Sequence, residues 1–219
     1  GSADVLEPLG VPSESTLETM DRALAEAGIV FMFAPLMHPA MRHVGPIRRE
    51  LGIPTVMNIV GPLANPAGAG RQVVGVAEAG RVPLIAGALA ELGTVHALVV
   101  HGAPGLDEVS PLGTTHVVEV REGRAREWTI EPARYGLRAT PEELSGGDPA
   151  DNARVILEVL GGGGAGGARA AVVLNAAAAI YVSGQPTDFD EAVERARAAL
   201  LSGEGMRALG RLRAPPGEW

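Results

Sequence analysis

Short apolar runs that alternate with helical segments constrain this chain more than any other feature of its sequence. Residues 72–77 and 94–100 are of strand length and rich in valine, and residues 83–92 between them have the length and apolar content of a helix. Pro83 stands near the start of that helix and Gly93 follows it. Strand, helix, strand in this order implies a parallel βαβ unit and a sheet with helices packed on its faces. Upstream, the pattern predicts strands over 29–33 and 55–60, a helix over 39–51 ended by Gly52, and a Gly/Pro-rich loop before residue 72. Ser15 and Glu18 fit a capping box for an earlier helix, on which Leu17, Met20, Leu24 and Ala27 share a face before Gly28 stops it. After residue 115 the pattern changes. Two strands, 116–120 and 124–130, flank Glu122-Gly123 as an antiparallel hairpin, and the remainder reads as helices over 148–160, 169–182, 189–201 and 206–212. The expected fold is α/β, with a mostly parallel central sheet flanked by helices.

Composition removes several classes of function. No stretch approaches the roughly 18 apolar residues of a membrane-spanning helix. The first residues, Gly1-Ser2-Ala3-Asp4, lack a basic-then-apolar leader, so the expected location is the cytoplasm. Without cysteine there is no disulfide, no thiolate catalysis and no sulfur-ligated metal. A net charge of −8 opposes nucleic-acid binding by bulk electrostatics, and aromatic residues at 3% make no stacking platform for bases. All 18 basic residues are arginine. Lysine chemistry is therefore excluded, and an anion must be held by arginine, backbone N–H groups or a metal.

Three segments carry more functional residue types than packing requires. On a helix from residue 39, Met41, Val44, Arg48 and Leu51 share one face, so Arg48 either snorkels from the edge of a core or forks onto a carboxylate or phosphate. Residues 58–66, Asn-Ile-Val-Gly-Pro-Leu-Ala-Asn-Pro, form a rigid loop at a strand's carboxyl end, which suits either a ligand or a tight connection. Residues 102–114 follow another strand and contain Asp107 and Glu108. That carboxylate pair suits a hard cation such as Mg²⁺, or a solvated turn. The five histidines show no zinc-type spacing and read as structural. Gly161 to Gly164 follow a helix and lack a Gly-Lys-Ser/Thr ending, so they read as a linker rather than a phosphate cradle.

Taken together, Gly1-Ser2-Ala3-Asp4-Val5-Leu6-Glu7, Phe33-Ala34-Pro35 with His38-Pro39-Ala40-Met41, Pro46-Ile47-Arg48, the run 58–66 and Gly105-Leu106-Asp107-Glu108-Val109-Ser110-Pro111 resemble anthranilate phosphoribosyltransferases over nearly the whole chain. The resemblance implies the large α/β domain of the nucleoside phosphorylase and phosphoribosyltransferase class over 29–219. It also implies that residues 1–28 belong to or border a small helical domain through which a homodimer forms. It assigns Arg48 to anthranilate, Gly61 and Pro62 to the wall of the aromatic substrate's channel, Ser2 to phosphoribosyl pyrophosphate, and Asp107 and Glu108 to Mg²⁺. No protein nucleophile is implied, because the amine of anthranilate attacks the ribose. The family's Gly-Thr-Gly-Gly-Asp and Lys-His-Gly-Asn segments do not occur in this sequence and are expected to precede Gly1. A nucleoside phosphorylase on the same fold, or a non-catalytic relative that binds nucleic acid, are the alternative readings.

Overall fold

The computed structural model describes residues 2–13, 15–38, 50, 52, 60, 61 and 63–213. In chain order the elements are α1 (Ser2–Leu6), α2 (Leu17–Ala27), α3 (Ala34–Met37), β1 (Arg71–Gly75), α4 (Val82–Glu91), β2 (His96–Gly102), β3 (Thr115–Arg121), β4 (Arg124–Ile130), α5 (Pro149–Leu160), α6 (Gly166–Val182), α7 (Phe189–Leu201) and α8 (Glu204–Arg213). They divide into two compact units. One comprises Thr55–Ser145 with Ala165–Ala198, and the other Gly1–Pro54, Gly146–Gly164 and Ala199–Trp219.

The first unit is built on a sheet ordered β1-β2-β3-β4. Successive side chains of a strand alternate between faces, and the sequence supplies apolar residues to both. Val74, Ala97, Val99, Val118 and Val120 stand on one face, where Val82, Ile85, Ala86 and Leu89 of α4 close over them. Leu98, Val100 and Val117 serve the other, and α6 packs on β1 and β2. β2 lies between two strands and under helices on both sides, which is why Ala97 through Val100 are fully buried. The pair β1–β2 is parallel, with α4 as its crossover, as the βαβ pattern requires. The pairs β2–β3 and β3–β4 are antiparallel, so the described sheet is mixed where a mostly parallel one was expected. Parallel neighbours need a crossover, usually a helix. The connection from β2 to β3 contains none and simply turns back.

The second unit is helical. Leu9, Val11, Ala153 and Leu209 are its buried centre, with Val5, Leu6, Ile156 and Met206 packed around them. Asp148 caps α5 by accepting the Asp151 N–H at 2.9 Å. Two expectations here need correction. Thr16, not Ser15, caps α2: its backbone is extended and its hydroxyl accepts the Thr19 N–H at 3.2 Å, while Glu18 turns outward to Arg22. Residues 29–33 are not a strand. An apolar run becomes a strand only beside a partner edge, and Phe33 instead offers its carbonyl to Leu36 and Met37 to start α3. The expected helix over 39–51 and strand over 55–60 lie outside the described residues except for Glu50 and Val60. Val60, Gly61 and Leu63 are helical, with Ala64 N–H bonded to Val60 O at 2.9 Å.

Candidate functional site

β1 and β2 run side by side and both end at the same edge of the sheet, where the loop of residues 103–114 leaves β2. Carboxyl ends of parallel strands are where open α/β sheets bind ligands. The loop folds back over the ends of both strands. A Cβ on Gly75 would stand 1.6 Å from the Asp107 carbonyl oxygen, and one on Gly102 would stand 2.5 Å from the Glu108 carbonyl oxygen. Only glycine at these two strand positions lets the backbone of Asp107 and Glu108 pass so close.

The loop is then tied on every side. Leu106 bridges back to Gly102, whose N–H donates to Leu106 O at 2.8 Å. Ala103 N–H donates to Thr114 O at 3.0 Å, and Ser110 N–H to Thr115 Oγ1 at 2.9 Å. Ser110 Oγ donates to Ala103 O and accepts Leu112 N–H. The fully buried Val109 has both backbone groups taken by Asn175 of α6: its N–H donates to Oδ1 at 2.9 Å, and Nδ2 donates to its carbonyl at 2.9 Å. A buried backbone must satisfy its polar groups internally, and the buried Val109 does so through Asn175.

Against that fixed backbone, Asp107 and Glu108 are exposed. Partial loss of water around its carboxyl, and then the charge of Asp107 beside it, raise the Glu108 pKa above the ordinary carboxylate value. Adjacent carboxylates that repel are relieved by a divalent cation, and hard oxygen donors match Mg²⁺. Among the described residues no group of three or more His, Cys, Asp or Glu side chains could hold a metal. Asp107 and Glu108 supply two exposed carboxylates, oxygen donors of the type such a cation takes.

The other predicted site residues are placed as follows. Gly61 is exposed in the short helical turn before Leu63, and Ser2 is the first residue of α1. Arg48 and Pro62 lie outside the described residues. A cavity of about 210 Å³ bounded by Leu63, Asn65, Gln72, Leu89 and Thr94 opens beside the start of β1, the opposite end of that strand from Asp107. Sequence reasoning missed Gly75 and Asn175, and it included Gly102 in the loop without its close approach to Glu108. The signal for Asn175 was present: a lone amide in the alanine-rich run 170–180.

A second polar cluster surrounds the buried Glu119 of β3. Arg126 donates to its Oε2 at 2.8 Å and Trp128 at 3.0 Å, while Tyr181 donates to Oε1 at 3.1 Å and His96 Nε2 lies 2.9 Å from the same oxygen. Burial pushes the Glu119 carboxyl up. The hydrogen bonds from Arg126, His96 and Tyr181 and the Arg126 charge outweigh it, and the pKa lies below the ordinary value. His96 begins β2, so this network sits at the strand end away from Asp107. Both oxygens of the Glu119 carboxylate are held by protein groups, while the buried His96 Nδ1 has no hydrogen-bond partner, and the cluster reads as structural. His101, held at 2.8 Å from Val76 O, and His116, at 3.2 Å from Glu127, are also partnered, as expected of structural histidines.

The family described as "Glycosyl transferase family, a/b domain" matches residues 1–206. The anthranilate phosphoribosyltransferase of Rubrobacter xylanophilus is 51% identical over 96% of this chain and 62% of its own length, and that of Anaeromyxobacter dehalogenans (strain 2CP-C) 49% identical over 97% and 63%. The chain thus spans about 62% of the length of the curated relatives it matches. The crystal structure of the Thermus thermophilus anthranilate phosphoribosyltransferase superimposes with a TM-score of 0.88 at 44% identity, covering 98% of this chain and 65% of that one. The Saccharomyces cerevisiae enzyme in complex with PRPP and Mg gives 0.87 at 30%, covering 97% and 61%.

Proposed function

Since the chain belongs to the glycosyl transferase family with this a/b domain, we propose that it transfers the phosphoribosyl group of phosphoribosyl pyrophosphate to the amine of anthranilate, a step of tryptophan biosynthesis. The observation that carries the proposal is the Asp107–Glu108 loop, held across the carboxyl ends of β1 and β2 by Gly75, Gly102 and Asn175. In the reaction a bond forms between the anthranilate nitrogen and the ribose carbon, the bond from that carbon to pyrophosphate breaks, and the amine gives up a proton. Asp107 and Glu108 would hold Mg²⁺, which when bound neutralises charge on the departing pyrophosphate. Arg48 would fork onto the carboxylate of anthranilate and turn the amine toward the ribose. Gly61 and Pro62, with no bulky polar side chain, would leave room for the aromatic ring. The Ser2 hydroxyl would bond a phosphoribosyl pyrophosphate oxygen. No side chain need act as a nucleophile.

A homodimer formed through the small helical domain, which residues 1–28 belong to or border, accompanies this reading. No helix among the described residues is long and apolar enough to cross a membrane, and we place the enzyme in the cytoplasm. The deciding assay follows anthranilate fluorescence on addition of phosphoribosyl pyrophosphate and Mg²⁺. The chain is assayed joined to the preceding segment of the Rubrobacter xylanophilus relative. Signal should fall, and only with all components present. Undiminished fluorescence in a folded preparation would refute the proposed transfer.

A further inference from the structure

The geometry points to Asn175 as the positioning residue of the Asp107–Glu108 loop: by gripping both backbone groups of Val109 it sets where the two carboxylates stand toward a divalent cation. The inference rests on the reading of Asp107 and Glu108 as metal ligands and adds to it a residue that touches neither carboxylate. Asn175 sits midway along α6, between Leu174, which is fully buried, and Ala177, likewise buried against the sheet unit. An amide in such a layer is unfavourable unless bonded, and its bonds identify its task. One Nδ2 hydrogen goes to Ala171 O at 3.0 Å, within its own helix. The other, and Oδ1, go to the carbonyl and the N–H of a single residue 66 positions away, each at 2.9 Å. An amide side chain thus does for Val109 what a neighbouring strand would do.

Val109 directly follows Glu108. Gly75 and Gly102 permit the loop to approach the strands but hold nothing, because they have no side chain. Ser110 and Thr115 fix the loop's exit. Between those points the Asn175 amide is the tether next to the carboxylates. Without it the buried Val109 would leave an N–H and a carbonyl unpaired, and the loop would lift to reach water. The carboxylates would then lose the fixed spacing that a metal with strict ligand geometry demands.

Mn²⁺, an oxygen-seeking paramagnetic probe, tests this by electron paramagnetic resonance of the free ion. Four proteins are compared, each below its own measured unfolding midpoint: wild type, Asn175→Asp, Asn175→Ala and the double variant Asp107→Asn with Glu108→Gln. Asn175→Asp keeps the acceptor for the Val109 N–H and turns an oxygen onto the Val109 carbonyl, whereas Asn175→Ala loses both bonds. Binding should weaken at least tenfold in both Asn175 variants and vanish in the double variant. A role confined to packing would lower the unfolding midpoint and leave the affinity of the folded protein unchanged. Wild-type affinity in a folded Asn175 variant, alongside loss in the double variant, would overturn the positioning role and leave the metal reading intact. Mn²⁺ binding that survives the double variant, or none in wild type, would overturn both. Should neither Asn175 variant fold, amide exchange in wild type decides. A Val109 N–H as protected as the amides of α6 supports the tether, and one exchanging as fast as Asp107 overturns it.

Discussion

At the scale of single residues, Glu119 and Asp107 show how placement divides one chemistry into two roles. Glu119 is buried and gathers four donors, whereas Asp107 stands in water with a second carboxylate beside it. Because the folded-state pKa of Glu119 is lowered, its contribution to stability is complete above the ordinary carboxylate range and disappears as pH falls through the folded value. Glu119→Gln should therefore cost about 2 kcal/mol at neutral pH, the order expected for losing charge-assisted hydrogen bonds to a buried carboxylate. The two unfolding curves should converge in acid, where the native carboxyl is also neutral. Urea titrations from neutral to acidic pH will check this, and a gap that stays constant would contradict it. Arg48 could be read only as one of two alternatives from helical spacing. For its proposed role, Arg48→Ala should raise the KM for anthranilate by roughly tenfold or more, the order expected on losing a charge-assisted bond. The KM for phosphoribosyl pyrophosphate should hardly change, and an equal rise in both would remove the assignment.

At the scale of elements, local rules worked where an element carries its own signal. The β3–β4 hairpin was legible because Glu122-Gly123 makes a turn between two strand-length segments. The turn has positive φ at both residues, 51° at Glu122 and 74° at Gly123, which only the second accepts without strain. Glu122→Asn should thus stabilise the protein by about 0.5–1 kcal/mol, since asparagine tolerates the left-handed region better. Thermal unfolding will measure it, and a destabilised variant would mean that the Glu122 side chain makes a contact outweighing its strain. The cap of α2 moved by one residue, from Ser15 to Thr16, because both hydroxyl side chains satisfy the same local rule and only the backbone conformation decides between them. Residues 29–33 failed as a strand for a different reason: an apolar run states that burial is needed and says nothing about an available edge. The same limit applies to β3, whose direction follows from a loop that returns rather than crosses.

At the scale of the whole molecule, each compact unit is assembled from segments far apart in the chain. The helical unit brings Leu9 and Val11 together with Ala153 and with Leu209 near the end of the described residues. Leu209→Ala should cost about 2–5 kcal/mol, the usual range for a buried leucine. Amide protection should fall in α1 and α5 as well as in α8, and a loss confined to α8 would contradict a shared core. From the sequence alone came the βαβ order, the hairpin, most helices, the exclusion of lysine and cysteine chemistry, and Asp107 and Glu108 as a carboxylate pair after a buried strand. These depend on periodicity, residue type and short spacing, all local quantities. Tertiary structure alone decided that Gly75 and Gly102 lie against the backbone of Asp107 and Glu108, that Asn175 grips Val109, and that Glu119 is paired rather than reactive. Each of these joins residues on different elements, and their proximity is set by how the sheet and helices pack, which no local pattern encodes.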